Sequence, residues 1–373
     1  MRASLTMVVG TRPEAIKCAP VVFALRERGL PVRLVASGQH AELLDTALAD
    51  FGLVADVNLR VMQPGQDLAG LTARLLTSLD AEFAASPPRM VLVQGDTTTA
   101  FAAALSAFYR RIPCGHIEAG LRSGNRVEPF PEDLNRQLAD RLCTRHWAPT
   151  ARARDALRAE GVNSESIVVT GQTGVDAALW MAARVGSAAP QELAAALKDR
   201  RPRLVLATGH RRENQQGGIA AVAAALADRC RTRGDLTVLF AAHPSPAVQA
   251  QLAGLQGTPG FHVLPPLSYR ATVWMLAHAD AAVSDSGGLQ EEAPSFGLPV
   301  LVTRGNTERP EALESGFLRL VGCDAARVKR ELDDVLDDQA LRPHLRALPN
   351  PYGDGQAATR IAADLAALPE PSP

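Results

Sequence analysis

Two adjacent glycines, Gly287 and Gly288, follow the apolar run at residues 281–284, with Asp285 and Ser286 in between. Because Asp and Ser often cap helices, this pattern predicts a strand followed by a helix that begins at the glycines. The first N–H groups of a helix and its dipole favour an anion, and glycine has no side chain to keep a diphosphate away. We therefore predict that Ser286, Gly287 and Gly288 bind a phosphate group.

The same predicted helix carries two adjacent acids, Glu291 and Glu292. Glu292 follows Ser286 by six residues, which is ~9 Å along a helix and about the distance from a diphosphate to a ribose. In nucleotide-binding folds a carboxylate accepts hydrogen bonds from ribose hydroxyls. We interpret Glu292 as a ribose-binding residue, against the alternative that it only favours an N-terminal helical turn. For Glu291 we prefer that alternative.

Short apolar runs alternate with Ala-rich stretches of helical period along the chain. Continuous apolar strands separated by helices are typical of parallel sheets covered on both faces, so we predict two doubly wound α/β domains in tandem. In open α/β sheets ligands bind at the carboxyl ends of the strands, and two such domains facing each other predict a central cleft. The apolar runs lie at residues 5–9, 32–37, 90–94 and 112–117, then at 166–170, 203–208, 236–242, 262–266, 281–284 and 298–302.

A short sequence pattern occurs in both predicted halves. The first strand leads into G-T-R-P-E at residues 10–14, and a strand near the middle leads into G-H-R-R-E at residues 209–213. Either the two halves repeat one strand-to-helix corner or the agreement is due to chance, since the pattern is short.

Composition limits the partners. The chain of 373 residues has 39 basic and 40 acidic side chains, a balance that argues against nucleic acid or a membrane surface as a partner. Neither a secretion signal nor a bilayer-spanning run is evident in the sequence. The five cysteines are scattered without a C-x-x-C pair, which predicts reduced thiols in a cytoplasmic protein and neither disulfides nor a metal site.

Seven motifs follow predicted strands or begin predicted helices. They are GTRPEAIK at 10–17, QGDTTTA at 94–100, GHIEAGLRS at 115–123, PFPEDLNRQ at 129–137, TGHRREN at 208–214, SDSGGLQEEAPSFGLPVLV at 284–302 and TERPEA at 307–312. Together and in this order they resemble the non-hydrolysing UDP-N-acetylglucosamine 2-epimerases, over nearly the whole chain. The resemblance implies a GT-B-like pair of Rossmann-like domains, residues 1–170 with a C-terminal crossover helix in 354–373, and a UDP-binding domain at 171–353.

The resemblance also implies a reaction, the interconversion of UDP-GlcNAc and UDP-ManNAc without a nicotinamide cofactor or a metal, in a homodimer that serves cell-surface polysaccharide synthesis. The hydrogen on carbon 2 of the sugar is not acidic, because no carbonyl is adjacent to it. Departure of UDP from carbon 1 makes it acidic, and a carboxylate then removes it to give a glycal. Return of the proton to the opposite face and re-addition of UDP complete the inversion.

Five residues match positions that the family uses in catalysis. Asp96, Glu118 and Glu132 match its acids, although each alone would be an ordinary acid near a helix start. Arg136 matches a residue important for activity, and its spacing from Glu132 would equally suit a plain helix ion pair. His210 matches a donor or acid at the departing diphosphate, with a buried structural histidine as the alternative.

Other matched positions predict substrate contacts. Arg12 and Lys17 follow the first strand, where a diphosphate or the reacting sugar is expected, and Arg309 matches a cation near the nucleotide. His243 is predicted to line the same cleft. A further set, Gln39, His40 and Gln66, resembles part of a second site at which regulated bacterial members bind UDP-GlcNAc as an activator, although Glu42 and Gly65 depart from that pattern.

Three other functions compete with this interpretation. A GT-B glycosyltransferase would share the SDSGG segment and Glu292, but it would not explain the three acids. A non-catalytic nucleotide-sugar sensor would not explain the acids together with His210. An epimerase acting on a related UDP-sugar, such as a diacetamido uronic acid, is not separated by these motifs.

Overall fold

The computed structural model describes residues 4–39, 41–63, 65–125, 129–209, 217–242 and 245–369. The chain divides into two compact units. The N-terminal domain comprises Met1–Ala177 and Tyr352–Pro373, and the C-terminal domain comprises Ala178–Pro351.

The described part of the N-terminal domain contains a seven-stranded sheet in the order β3-β2-β1-β4-β5-β6-β7, in which all paired strands are parallel. Its strands are β1 (Leu5–Val9), β2 (Val32–Ala36), β3 (Val57–Asn58), β4 (Met90–Gln94), β5 (Cys114–Ile117), β6 (Arg145–Ala148) and β7 (Ile167–Val169). Its helices are α1 (Arg12–Glu27), α2 (Ala41–Asp50), α3 (Leu68–Ala85), α4 (Thr98–Tyr109), α5 (Glu132–Leu142), α6 (Ala151–Ala159), the start of α7 (Thr173–Val185) and α16 (Ala357–Ala367).

The described part of the C-terminal domain contains a six-stranded parallel sheet in the order β10-β9-β8-β11-β12-β13. Its strands are β8 (Arg203–Gly209), β9 (Leu236–Ala242), β10 (Phe261–Leu264), β11 (Ala281–Ser284), β12 (Val300–Val302) and β13 (Leu318–Leu320). Its helices, after the end of α7, are α8 (Gln191–Leu197), α9 (Gly218–Arg233), α10 (Pro246–Leu252), α11 (Tyr269–His278), α12 (Gly287–Glu292), α13 (Pro310–Glu314), α14 (Ala325–Asp337) and α15 (Leu341–Ala347).

The apolar pattern explains these elements. All five residues of β4 are buried, as expected for a strand covered on both faces. In α3 the buried residues are Leu71, Leu75, Leu79 and Phe83, whose spacing of four places them on one face of the helix. Burying each such side chain stabilises the fold by roughly 1.5–3 kcal/mol relative to exposure.

The prediction of two doubly wound parallel-sheet domains is confirmed. In each sheet the strand order reverses at one point, between β1 and β4 in the N-terminal domain and between β8 and β11 in the C-terminal domain. Open α/β sheets bind ligands at such points, beyond the carboxyl ends of the strands. The motifs at residues 10–17, 94–100 and 284–302 begin at these strand ends.

The division between the domains falls after Ala177, whereas the sequence placed it after residue 170. Hydrogen bonds to the C-terminal segment account for the difference. The Gln172 amide donates to the Tyr352 carbonyl (2.7 Å). The Asp176 carboxylate accepts from the amides of Ala357 (3.2 Å) and Ala358 (2.8 Å) at the start of α16.

Three strands, β3, β6 and β13, were not expected from the sequence. They are short and carry charged or polar residues such as Asn58, Arg145 and Arg319, so they lack a continuous apolar run. Within the described part of the chain, no helix combines the length and the apolar character needed to cross a bilayer.

Candidate active site

Two of the predicted acids emerge at neighbouring strand ends in the N-terminal domain. In the parallel pair β4 and β5, Gln94 is in register with Ile117. Glu118 directly follows β5, and Asp96 comes two residues after β4. The strand register therefore delivers both carboxylates to one edge of the sheet, beside the point where the strand order reverses.

One guanidinium joins these acids. Arg136 Nη1 donates to the Glu118 carbonyl oxygen (2.8 Å) and to Glu118 Oε1 (3.2 Å), and Arg136 Nη2 bonds to Asp96 Oδ2. The neighbouring Asn135 donates from Nδ2 to the Asp96 carbonyl oxygen (3.0 Å). Arg136 is almost fully buried. Because charge-assisted bonds to two acids fix both side chains at once, Arg136 sets the geometry between Asp96 and Glu118.

Glu118 is the most constrained of the predicted acids. Its backbone has a φ of 67°, in the left-handed region that residues other than glycine seldom adopt. The residue is 5% exposed, and its Oε2 accepts a bond from Lys17 Nζ. A sparsely populated backbone conformation costs on the order of 1–3 kcal/mol and is typical of functional sites. Lys17, which was predicted to lie near a diphosphate or the reacting sugar, is therefore paired with Glu118, a predicted catalytic acid.

A buried carboxylate that the sequence did not single out lies at the same edge. Glu14 Oε2 accepts bonds from the Gly10 amide (3.0 Å) and from the Thr11 amide (2.7 Å) and hydroxyl (2.8 Å). Glu14 Oε1 accepts a bond from the Thr97 hydroxyl (2.7 Å). Burial raises the pKa of Glu14 to about 7, against the opposing effect of these hydrogen bonds. The sequence feature that could have identified Glu14 is the capping box that it forms with Thr11 at the start of α1.

Three further predicted residues surround this edge. Arg12 and Glu132 are the first residues of α1 and α5, and both are half-buried. Gln39 follows β2, where its Oε1 accepts a bond from the Thr99 hydroxyl (2.8 Å). A Cβ at Gly10 would lie 2.3 Å from Thr99 Oγ1, so glycine is required for this close approach of β1 and α4. The N-terminal domain therefore gathers Arg12, Lys17, Gln39, Asp96, Glu118, Glu132 and Arg136 around the carboxyl ends of β1, β2, β4 and β5.

Three predicted histidines, His40, His210 and His243, lie outside the described residues, as does most of the G-H-R-R-E pattern at 209–213.

The SDSGG segment lies at the corresponding edge of the C-terminal domain. Ser284 ends β11, and its hydroxyl is 2.6 Å from the hydroxyl of Thr208 on the neighbouring strand β8. Ser284 Oγ also accepts a bond from the Ser286 amide (2.9 Å). α12 begins at Gly287, as predicted, but Ser286 at its N-cap makes no side-chain capping bond. Capping by its hydroxyl is therefore not what starts the helix.

Gly287 makes room for an arginine. A Cβ at Gly287 would lie 2.8 Å from Arg309 Cζ. The guanidinium is held there by Glu291, whose Oε1 accepts from Arg309 Nε (2.7 Å) and Nη2 (2.6 Å). Glu308 Oε2 accepts from Arg309 Nη1 (3.2 Å). The interpretation of Glu291 as a simple helix-start acid is wrong, because its side chain is buried and paired with a cation from another element.

Glu292, the predicted ribose ligand, is also buried, and its side chain reaches back toward the start of α12. A Cβ at Gly288 would lie 3.7 Å from Glu292 Oε1. The carboxylate therefore lies beside the glycines, one helical turn before its own position. A sugar next to a phosphate at the start of α12 would be within its reach.

The chain is similar to known epimerases over nearly its whole length. A family model described as UDP-N-acetylglucosamine 2-epimerase matches residues 24–366. The UDP-N-acetylglucosamine 2-epimerase of Escherichia coli (strain K12) is 43% identical over 360 residues, which cover 95% of this chain and 96% of the relative.

Two solved structures share the fold over almost the full length. A putative UDP-N-acetylglucosamine 2-epimerase from Listeria monocytogenes has a TM-score of 0.92 and 38% identity, covering 98% of this chain and 96% of that one. UDP-GlcNAc 2-epimerase from Neisseria meningitidis, solved bound to UDP-GlcNAc, has a TM-score of 0.90 and 35% identity, covering 97% of this chain and 99% of that one. The chain therefore belongs to the UDP-N-acetylglucosamine 2-epimerase family.

Proposed function

We propose that this protein interconverts UDP-GlcNAc and UDP-ManNAc by inverting carbon 2 of the sugar. Membership of the family supports an epimerase, and the relative from Neisseria meningitidis was solved bound to UDP-GlcNAc. The observation that carries the proposal is the pair of acids, Asp96 and Glu118, fixed on one buried guanidinium. A protein that only bound the nucleotide would not need two carboxylates held in this way.

The proposed reaction begins with departure of UDP from carbon 1. Ser286, Gly287 and Gly288 bind the diphosphate, and Glu292 accepts hydrogen bonds from the ribose hydroxyls. The bond between carbon 1 and the phosphate oxygen breaks with both electrons leaving on UDP, and the resulting positive charge acidifies the hydrogen on carbon 2. The guanidinium of Arg309 lies beside Gly287. Because Glu291 and Glu308 offset its charge, the backbone N–H groups at the start of α12 are what favour the departing anion.

The acids of the N-terminal domain then act on carbon 2. Glu118 is paired with Lys17 and Arg136, which favour its ionised form and make it the best candidate for the base. Its removal of the proton leaves a carbon–carbon double bond, the glycal. Asp96 or Glu132 delivers a proton to the opposite face, and UDP adds back at carbon 1. The reaction needs no redox cofactor and no metal, because loss of UDP supplies the activation.

The reaction in deuterated water tests this proposal. The purified protein is incubated with UDP-GlcNAc alone, and the products are followed by proton NMR. We expect UDP-ManNAc to accumulate, with deuterium from solvent at carbon 2 and traces of free UDP and glycal. Glu118→Gln is the matched control and should not exchange the hydrogen. Full retention of the original hydrogen in the epimerised product would contradict the elimination, and the absence of UDP-ManNAc would contradict the epimerase.

We propose that the protein acts in the cytoplasm as a homodimer, and that its product enters cell-surface polysaccharide synthesis. Light scattering on the purified protein tests the dimer. Activity in the presence of a chelator, without added nicotinamide, tests the independence from cofactors.

A further inference from the structure

The turn at residues 95–97, which carries Asp96, is hydrogen-bonded on both sides. It connects the end of β4 to Thr97, the N-cap residue of α4. The Asp96 carbonyl oxygen accepts a bond from Asn135 Nδ2 of α5 (3.0 Å). The Thr97 hydroxyl donates to Glu14 Oε1 of α1 (2.7 Å). Two different helices, α1 and α5, therefore hold the two sides of one short turn.

The Thr97 hydroxyl acts as both acceptor and donor. Its oxygen accepts a bond from the Ala100 amide (3.0 Å), which caps the N-terminus of α4. Its proton is donated to Glu14, which is only 1% exposed. Glu14 is itself fixed at the start of α1, where its other carboxylate oxygen accepts from the Gly10 and Thr11 amides. The turn is thereby tied to α1 through a buried anchor.

The same two helices also hold the second predicted acid, Glu118. Lys17 follows Glu14 by three residues on α1, so the two side chains lie on one face of that helix, and Lys17 Nζ bonds to Glu118 Oε2. Arg136, the neighbour of Asn135 on α5, bonds to Glu118 Oε1 (3.2 Å). Each helix therefore contacts both the turn and Glu118, so the distance between the two acids depends on both helices.

We propose that Thr97 and Asn135 are positioning residues, which hold the turn between α1 and α5 and thereby set where the Asp96 carboxylate meets the sugar. Arg136 bonds the end of the Asp96 side chain, whereas these two residues fix the backbone from which that side chain extends. A reacting group misplaced by about 1 Å can cost ~10²-fold in rate. The inference rests on the proposed function, because the position of Asp96 matters to the reaction only if Asp96 acts on the sugar.

The first test removes the Thr97 hydroxyl while keeping the shape of the side chain. Thr97→Val has no side-chain oxygen and loses the bonds to Glu14 and the Ala100 amide, whereas Thr97→Ser keeps both. The assay is run at pH 8.5, above the pKa of Glu14, which burial raises to about 7, so that this carboxylate accepts the bond. We expect kcat for epimerisation to fall about 10- to 100-fold in Thr97→Val, with KM within about threefold, because geometry changes and binding does not. Thr97→Ser should keep kcat within about threefold.

Thr150→Val is the matched control. Thr150 is the N-cap of α6, and its hydroxyl oxygen accepts from the Ala153 amide (3.2 Å) as that of Thr97 accepts from the Ala100 amide. Loss of either cap should lower the urea midpoint of unfolding by a similar amount, but Thr150→Val should keep kcat within about twofold. Equal falls in kcat in the two valine variants would reveal a general effect of a lost cap and overturn the proposal, as would wild-type kcat in Thr97→Val.

The second test acts from the other helix. Asn135→Leu has a similar shape but cannot donate to the Asp96 carbonyl oxygen, and it leaves the cap of α4 intact. We expect a fall in kcat of the same size, with KM again within about threefold. If Thr97→Val does not fold, this variant decides the proposal. Wild-type kcat in Asn135→Leu would overturn it.

Crystal structures of Thr97→Val, Asn135→Leu and Thr150→Val distinguish a failure of this inference from a failure of the proposed function. We expect the Asp96 carboxylate to shift relative to Glu118 by about 1 Å in the first two variants and to keep its place in the control. An Asp96 that keeps its place in the first two would overturn the positioning role, even in a protein that epimerises UDP-GlcNAc. If the wild-type protein forms no UDP-ManNAc, the proposed function fails, and these structures alone decide whether the turn is held as inferred.

Discussion

The two domains use the same sheet architecture but place opposite chemistry at their strand ends. In the N-terminal domain the strand ends carry carboxylates, Asp96 and Glu118, which are held by the cations Lys17 and Arg136. In the C-terminal domain the strand end leads into a glycine-opened helix, and the cation there, Arg309, is held by a carboxylate. One edge is built around acids that cations hold, and the other around a cation that acids hold.

The difference shows how each edge controls its charges. In the N-terminal domain the buried cations Lys17 and Arg136 hold Asp96 and Glu118 in place through hydrogen bonds. In the C-terminal domain Glu291 holds Arg309 against Gly287, so the adjacent glycines and acids of this segment serve one arrangement: the glycine admits the guanidinium, and the acid fixes it. Glu291 and Glu308 offset the charge of Arg309, so in the proposed function the backbone of α12 would supply most of the attraction for a phosphate.

The largest effect is expected for a substitution among the acids at the strand ends of the N-terminal domain. Glu118→Gln keeps the size of the side chain but removes the base and weakens the bonds to Lys17 and Arg136. We expect kcat to fall about 10²- to 10⁴-fold, as is usual for loss of one acid or base. Conversion of UDP-GlcNAc followed by NMR measures it. Glu82→Gln is the control, because Glu82 also pairs with an arginine, Arg33, in the same domain. A variant at Glu118 with more than a tenth of wild-type kcat would contradict its role as base.

The next largest effect is expected for a substitution at the start of α12 in the C-terminal domain, which leaves the acids of the N-terminal domain unchanged. Gly287→Ala places a methyl group where Arg309 lies, so the guanidinium or the start of α12 must move. We expect the dissociation constant for UDP, measured by calorimetry, to rise about 10- to 100-fold. Gly254→Ala is the control, since a Cβ there meets nothing within 4 Å. Equal affinity in the two alanine variants would show that this turn does not bind the diphosphate.

The smallest effect is expected at Glu14, a carboxylate at the strand ends of the N-terminal domain that accepts hydrogen bonds from amides and hydroxyls. Its pKa rises from 4.5 to about 7 on folding, chiefly through burial. Between these values the folded state binds more protons than the unfolded state, so this group lowers the free energy of unfolding as pH rises from 4.5 to 7.

Glu14→Gln removes that titration. We expect the wild-type protein to lose roughly 1–3 kcal/mol more than the variant across this window, as measured by urea unfolding at several pH values. Glu82→Gln should follow the wild-type curve. Parallel curves for Glu14→Gln and the wild type would contradict the raised pKa.

Much of the fold was predictable because its signals are local. The apolar runs predicted ten of the strands, and the SDSGG segment predicted the start of α12. The short strands β3, β6 and β13 were missed because polar residues interrupt their apolar pattern, and parallel pairing with a neighbouring strand stabilises them instead. Glu14 was missed for another reason: a capping box is an ordinary helix start until its neighbours are known.

The amino-acid order alone determined the class of fold, the strand-to-helix corners and the residue types at those corners, because these depend on hydrophobic period, helix caps and glycine within a few residues. Only the tertiary structure decided which charges meet. Lys17 and Glu118 are 101 residues apart, and Arg136 and Asp96 are 40 apart. Their contacts exist because β1, β4 and β5 are neighbours in the sheet. Burial then strengthens each pairing, since little water competes for the charges.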